Sequence, residues 1–353
     1  MAVTKAMDQQ PAKNKAIKCV VWDLDQTLWE GVLLEDDRVS LRSNIPDIIK
    51  TLDSRGIVQS IASKNDPEKA LATLHELGLA DYFLYPQINW NSKATSIKDI
   101  ARLIDIGVDA IAFVDDQPFE RAEVNYSLPE VLCIDAANVD QLLGMSELNP
   151  RFITEDAAVR RLMYLNDGRR KQAEEVFSGP HEEFLATLEM VCNLSPAKEQ
   201  DLRRAEELTV RTHQLNTTGY TYSYDDLDAF RRSPKHKLLL ASLDDKFGSY
   251  GKIGLALIEC KPEIWTIKLL LMSCRVMSRG VGSVFINYIL QLARDQRVRL
   301  RAEFISTGRN RMMYVTYKFA GFKELFVDGN FITFENTLKR VPPLPDYMQV
   351  IIE

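Results

Sequence analysis

The run Cys19-Val20-Val21-Trp22 is an apolar segment of strand length that ends abruptly in Asp23-Leu24-Asp25-Gln26-Thr27, two carboxylates one residue apart followed by a hydroxyl. The device recurs along the first half of the chain. Ile57–Ala62 runs into Ser63-Lys64-Asn65-Asp66, the apolar piece Tyr82–Tyr85 precedes Asn91-Ser92-Lys93, and Ala110–Val114 runs into Asp115-Asp116-Gln117-Pro118. Helical patterns lie between them. Asn44-Ile45-Pro46-Asp47 opens one that Gly56 closes, Asp66-Pro67 opens a second that closes at Gly78, and a third runs from about Ala94 to Leu103. Strands alternating with helices predict a parallel sheet with right-handed crossovers. In such a sheet the carboxyl ends of the strands share one edge, and that edge is where ligands bind. Asp23, Asp25, Ser63, Lys93, Asp115 and Asp116 are therefore expected together.

Their chemistry is mutually consistent. Several carboxylates at one edge repel unless a hard cation sits among them, and Mg²⁺ takes oxygen ligands of this kind. A carboxylate can accept a phosphoryl group covalently while Mg²⁺, a hydroxyl and an ammonium neutralise its oxygens. A second carboxylate two residues along can protonate the leaving oxygen and later activate water. The four motifs, in this order over residues 16 to 140, resemble those of the haloacid-dehalogenase-like (HAD) phosphatases. The resemblance implies Asp23 as nucleophile, Asp25 as general acid/base, and Mg²⁺ held by Asp23, the Asp25 carbonyl and a fourth-motif carboxylate, Asp116 in preference to Asp115. Ser63, Lys93, Thr27 and Asn65 are the implied phosphate-binding residues, though Lys98 can also be drawn as the motif lysine. Only 38 positions separate Asp25 from Ser63 and 30 separate Ser63 from Lys93, which leaves no room for a cap domain. An uncapped site favours phosphate carried on something large.

The match ends near residue 140 of 353, a length that itself predicts two domains. We expect a disordered lead-in over 1–15, a HAD-like domain over 16–148, a charged helical linker over 149–185, solvated at Arg160, Arg161, Arg169 and Arg170, and a second domain over 186–345. The net charge of −6 argues against general nucleic-acid binding. No stretch has the length of a membrane span, and the polar start Met1–Lys18 lacks the apolar region of a signal peptide, so a cytoplasmic protein with no membrane partner is expected. The five cysteines are scattered and odd in number, which reads as reduced thiols.

In the second half, strands are expected at Met190–Leu194 and Trp265–Ser273, a hairpin from Lys237–Ser242 and Ile253–Ile258, and a helix from Ala197 to His213. After Ser273 comes Cys274-Arg275-Val276-Met277-Ser278-Arg279-Gly280-Val281-Gly282-Ser283 and then an amphipathic helix to Ala293. A glycine-rich turn between strand and helix exposes backbone N–H groups suited to phosphate or pantetheine. Arg275, Arg279, Gly280 and Gly282, with Gln214 and Asn216 of the polar loop 214–220, are the candidate acyl- and pantetheine-binding residues. Cys274, at a strand end beside a helix N-terminus, is the candidate acyl carrier. His213 is the candidate imidazole base.

This order resembles the GNAT-like acyltransferases, down to Asn310 and Tyr317-Lys318-Phe319-Ala320-Gly321-Phe322, with Met277 where the pyrophosphate loop usually begins with Gln or Arg. Taken over residues 16 to 335, Trp22–Trp29, Ser63–Asp66, Val114–Arg121 and Ser273–Val281 resemble the FkbH-like glyceryl transferase/phosphatases of polyketide biosynthesis. The resemblance implies an α/β protein: an uncapped, parallel-sheet, Rossmann-type HAD-like domain plus a GNAT-like α+β domain. It also implies D-glyceryl loading from 1,3-bisphosphoglycerate onto the phosphopantetheine thiol of an acyl carrier protein, with loss of both phosphates. The alternative is a Mg²⁺-dependent phosphatase whose GNAT-like domain is non-catalytic or regulatory.

Overall fold

Helix and strand boundaries in the computed structural model, which describes residues 17–36 and 38–353, follow local chemistry closely. The expected lead-in 1–15, with Ala16, and Asp37 lie outside the described residues. The chain divides into two units, Met1–Leu165 and Asn166–Glu353. The division falls inside the stretch expected as linker.

The first unit runs β1 (Cys19–Trp22), a small hairpin of β2 (Trp29–Glu30) and β3 (Ser40–Leu41), α1 (Ile45–Ser54), β4 (Val58–Ser63), α2 (Pro67–Glu76), β5 (Gln87–Ile88), α3 (Lys93–Ile104), β6 (Ile111–Asp115), α4 (Pro118–Ser127), β7 (Leu132–Asp135) and α5 (Glu155–Ala158). Asp66 caps α2 by accepting the Lys69 N–H, Pro67 sits in its first turn, and the Ser92 hydroxyl accepts the Thr95 N–H at the start of α3. The five-stranded sheet has the order β5-β4-β1-β6-β7, and all its pairings are parallel. This is a doubly wound arrangement whose order reverses at β1. β1 is buried throughout because both sheet faces are covered: Val20 and Trp22 point into one apolar layer, Cys19 and Val21 into the other. The expected apolar piece Tyr82–Tyr85 is not the strand. It makes only an isolated bridge to β4, Phe83 beside Gln59; Tyr85 then enters the left-handed region (φ 51°), which breaks extension, and the strand proper starts at Gln87.

Helix α6 (Arg160–Val176) follows. It is not the fully solvated helix its charges predict. Arg161 reaches Asp53 in the first unit, and in the second Arg170 is 1% exposed, forked onto both oxygens of Asp245 at 2.7 and 2.8 Å and stacked on the Tyr250 ring.

The second unit continues with α7 (His181–Thr187), β8 (Met190–Pro196), α8 (Leu202–Arg211), α9 (Tyr224–Arg232), β9 (His236–Asp245), β10 (Gly248–Cys260), β11 (Ile264–Met272), α10 (Val281–Asp295), β12 (Arg299–Ile305), α11 (Arg311–Phe319), β13 (Lys323–Asp328), β14 (Phe331–Asn336) and β15 (Met348–Ile352). These strands form one eight-stranded sheet in the order β13-β14-β12-β11-β10-β9-β8-β15. Period-two alternation along β9 sends Leu239, Ala241 and Leu243 to the α10 side and Leu238 and Leu240 to the α8–α9 side. β15 lies beyond the expected limit at residue 345 and pairs in parallel with β8. No helix among the described residues is long and apolar enough to cross a membrane.

Candidate active site

Every charged motif residue of the first unit arrives because a strand ends there. β1 stops at Trp22 and delivers Asp23 and Asp25, β4 ends on Ser63, β6 ends on Asp115, and α3 starts at Lys93 just after β5. Since β1 lies between β4 and β6, these ends are neighbours. The buried Lys93 ammonium donates to Asp23 Oδ1, to Asp115 Oδ2 at 3.1 Å and to the Ala62 carbonyl at 2.9 Å. Lys98 is on the exposed face of α3, so Lys93 is the lysine that meets the carboxylates. Ser63 is buried and hydrogen-bonds Asp23.

Asp25 is held by three donors: the Trp29 indole N–H (2.8 Å) and the Leu33 N–H (3.1 Å) on Oδ1, and Asn65 Nδ2 (3.0 Å) on Oδ2. Its carboxylate is thereby oriented by the hairpin that follows β1. Asn65, expected on phosphate, instead spends its amide on Asp25 and on accepting the Asp66 N–H. The Thr27 hydroxyl likewise accepts the Asp116 N–H at 3.1 Å, sewing the first motif to the fourth. Arg121 closes the Val114–Arg121 motif, where no role is assigned to it, and in the structure it donates to the Asp115 carbonyl at 2.7 Å and pairs with Asp135. The available signal was its place one helical turn after Gln117, with Asp135 ending the adjacent strand.

Electrostatically the site is short of positive charge. Burial, the largest influence, and the neighbouring Asp115 push the Asp23 carboxyl up to about 6 against the pull of Lys93. Burial alone lowers the Lys93 ammonium, yet Asp23 and Asp115 outweigh it and its pKa rises. With two carboxylates facing a single ammonium, Lys93 holds its proton firmly between them. Asp116 is also raised, by burial and then by Asp23.

Oxygens of Asp23, Asp115 and Asp116 lie within 4.8 Å of one another, and Asp116 Oδ1 is buried with no hydrogen-bond partner among the described residues. Buried carboxylate oxygens are rarely left so, and a hard cation would satisfy this one. The donor set fits Mg²⁺, with Asp23 and Asp116 as side-chain ligands. Asp115 is committed to Lys93 and to the Gln117 N–H at 2.8 Å. The Asp25 side chain lies outside this carboxylate group.

In the second unit, β11 and β12 pair only over Ile264–Ile267 with Arg299–Ala302. Beyond that the segment 215–217 lies between them: the Met272 N–H donates to the Leu215 carbonyl (2.9 Å), the Thr217 N–H to the Leu270 carbonyl (3.0 Å) and the Ile305 N–H to the Thr217 carbonyl (2.9 Å). Asn216 is fully buried in this insert, its side chain accepting the Thr218 and Gly219 N–H groups, and Asn310 clamps it from the other side at 2.9 Å. The acyl-binding role expected for Asn216 gives way to a loop-shaping one. Arg279 is corrected similarly. It is 6% exposed, paired with Glu174 at 3.2 Å and set over the Phe184 ring. Gly280 and Gly282 do line a pocket of about 110 Å³, with Leu215, Met272, Met277 and Met312 among its walls. Cys274 is exposed in a three-residue turn, seven positions ahead of the start of α10 in the chain. Arg275 is half-buried with Nε 3.3 Å from the Ser273 hydroxyl, and His213 and Gln214 are exposed.

Gly280 has φ +77°, and a Cβ there would stand 2.1 Å from the Tyr347 hydroxyl. Gly280→Ala is therefore expected to cost about 1–3 kcal/mol in a denaturant titration. Tyr347→Phe added to it should recover part of the loss, and an unchanged midpoint for the single variant would remove the close approach from the account.

No protein-family model matches the chain, and no curated protein does. Solved structures do. The N-terminal part of a Bacteroides fragilis protein, containing a phosphatase domain and complexed with Mg, is 29% identical over 43% of this chain at a TM-score of 0.32. The present chain spans 39% of that one. The ribosomal-protein-S18-alanine N-acetyltransferase of Escherichia coli is 13% identical over 44% of this chain and 97% of its own, TM-score 0.33. The GNAT domain of S. lividans PAT is 16% identical over 40% and 88%, TM-score 0.33. At such TM-scores the weight rests on the geometry itself.

Proposed function

We propose that the chain is an enzyme with two sites, a Mg²⁺-dependent phosphate-ester hydrolase in the first unit and an acyl transferase in the second. At finer grain, we propose that it takes the glyceryl unit of 1,3-bisphosphoglycerate, removes the ester phosphate and loads glyceryl onto the phosphopantetheine thiol of an acyl carrier protein. The observation that carries the hydrolase reading is the meeting of Asp23, Asp25, Ser63, Lys93, Asp115 and Asp116 at one sheet edge around an unsatisfied carboxylate oxygen. Mg²⁺ held there would neutralise phosphate oxygens. Asp23 attacks phosphorus, Asp25 gives its proton to the leaving alkoxide, and Lys93 and Ser63 stabilise the charge on the transferring group. The donors around Asp25 keep it aimed, and Asp25 then takes a proton from the water that releases phosphate.

The glyceryl and carrier assignments rest on the motif resemblance. The acyl-phosphate end of 1,3-bisphosphoglycerate departs when a thiol attacks its carbonyl, and Cys274 is an accessible thiol for that step. A second reading, a phosphatase with a non-catalytic second unit, draws support from the internal pairing of Arg279 and Asn216.

Intact-mass spectrometry of the enzyme and a holo carrier protein, mixed with 1,3-bisphosphoglycerate and Mg²⁺, separates these readings. The expected result is a glyceryl mass on the carrier and a hydroxylamine-sensitive mass on the wild-type enzyme that Cys274→Ala loses together with carrier loading. Normal loading by Cys274→Ala would show direct attack by the carrier thiol, and no loading by the wild type would leave the phosphatase reading. Loss of small-ester cleavage as well would point to a damaged fold, which circular dichroism decides.

A further inference from the structure

The second unit's sheet ends at β13, and that strand is exposed along its whole length. Three consecutive large apolar residues, Leu325, Phe326 and Val327, are 50, 57 and 53% exposed. Four residues ahead of the strand Phe319 is 88% exposed. A terminal strand presents a row of unpaired N–H and C=O groups, and proteins usually blunt such an edge with charge, proline or a bulge. β13 carries a bulge, with Leu325 the extra residue in its pairing with β14 between Glu324 and Phe326, and its charges, Lys323, Glu324 and Asp328, stand only at its two ends, which leaves the apolar middle uncovered. The other end of the sheet also exposes two apolar residues, Ile351 and Ile352 at 41 and 51%, but offers no charge to set a register. β15 begins on the buried Met348 and has no charged residue, and the Glu353 carboxylate just past it is held by Lys198 and Asn193.

The sequence of β13 is Lys-Glu-Leu-Phe-Val-Asp. Set antiparallel to itself about a two-fold axis between Leu325 and Phe326, it places Lys323 opposite Asp328 of the other copy at both ends and Leu325 opposite Phe326 in the middle. Opposite charges facing each other across an antiparallel pair stabilise it, and like charges destabilise it. A slip of one residue either faces Lys323 with Val327 or faces Glu324 with Asp328, so charge selects the register. Glu324 needs no partner across the axis, since Tyr314 and Lys318 already hold its carboxylate.

We propose that β13 is a self-association edge, through which two copies of this chain join antiparallel into one continuous sheet. The contact is isologous, with the same six residues on both sides. A six-residue strand edge is small beside the roughly 1,200–2,000 Å² of a standard stable interface, so the association is reversible and concentration-dependent.

Sedimentation equilibrium of the full chain over a range of concentrations tests this. A monomer–dimer equilibrium is expected. Asp328→Lys sets like charges opposite each other at both ends and should weaken dimerisation about tenfold or more. Lys323→Asp combined with Asp328→Lys should restore it, which loss of fold in either variant would not do. A wild type that stays monomeric throughout, a dimer indifferent to Asp328→Lys, or a charge-swapped double variant that remains as weak as the single would each overturn the proposal. None of these outcomes depends on either catalytic site.

Discussion

Asp23→Asn is expected to lower release of the ester phosphate by on the order of 10⁴-fold or more, the scale on which removing a nucleophile acts. Asparagine keeps the size of the side chain and an oxygen that can still accept from Lys93, so the fold should survive. What it loses is the charge that, on the proposed reading, attacks phosphorus and holds the cation together with Asp116. Carrier or enzyme should then accumulate a phosphoglyceryl rather than a glyceryl adduct, visible by intact mass. Excess chelator should give the same arrest in the wild type. Undiminished phosphate release by the variant would sink the nucleophile assignment, and full activity in chelator would sink the metal.

The second large effect concerns stability. Lys93 is the ammonium between Asp23 and Asp115, and all three side chains are buried. Lys93→Met removes the cation and leaves two carboxylates facing each other out of water. Breaking a buried pair from one side in this way costs about 3–5 kcal/mol. Because a divalent cation supplies the missing charge, Mg²⁺ should raise the melting temperature of the variant more than that of the wild type. Thermal denaturation of both proteins with and without Mg²⁺ measures this. Equal Mg²⁺ shifts would show that the lysine does not offset the carboxylates, and no destabilisation would show that the carboxylates are solvated.

The first site was legible because its residues come at the ends of short apolar runs, and a parallel sheet brings such ends to one edge whatever the intervening helices contain. Sequence also narrowed the lysine to two positions; burial chose between them, since Lys93 starts α3 at the sheet edge and Lys98 lies on its outer face. What each polar side chain does once it arrives was not legible. Thr27 and Asn65 carry the right groups for phosphate, yet both bind neighbouring motif residues, Asp116 and Asp25. The second unit shows the limit more sharply. Arg279 stands beside a glycine-rich turn, which suggests an anion, but its partner Glu174 lies 105 positions earlier. Arg170 belongs to a run of charges that reads as solvated, while Asp245, which takes it into the interior, is 75 positions away. Adjacency in the chain carries no information about pairings of that range. β13 and α9 went unnamed for a different reason: the first is exposed on both sides of the pleat, and the second, despite the Ser223–Asp226 capping box, buries only Leu227.

The bonds made by Lys93 also bear on how the first unit comes into being. They join its α3 position to residues 70 positions before it and 22 after it. The Thr27–Asp116 bond spans 89 positions. Contacts of this sequence separation are costly in loop-closure entropy and form late, because parallel strands cannot pair until their crossover helices have been laid down. Partly folded forms thus lack the assembled carboxylate–lysine site, and on the proposed reading hydrolysis regained during refolding would mark completion of the sheet rather than of any one motif.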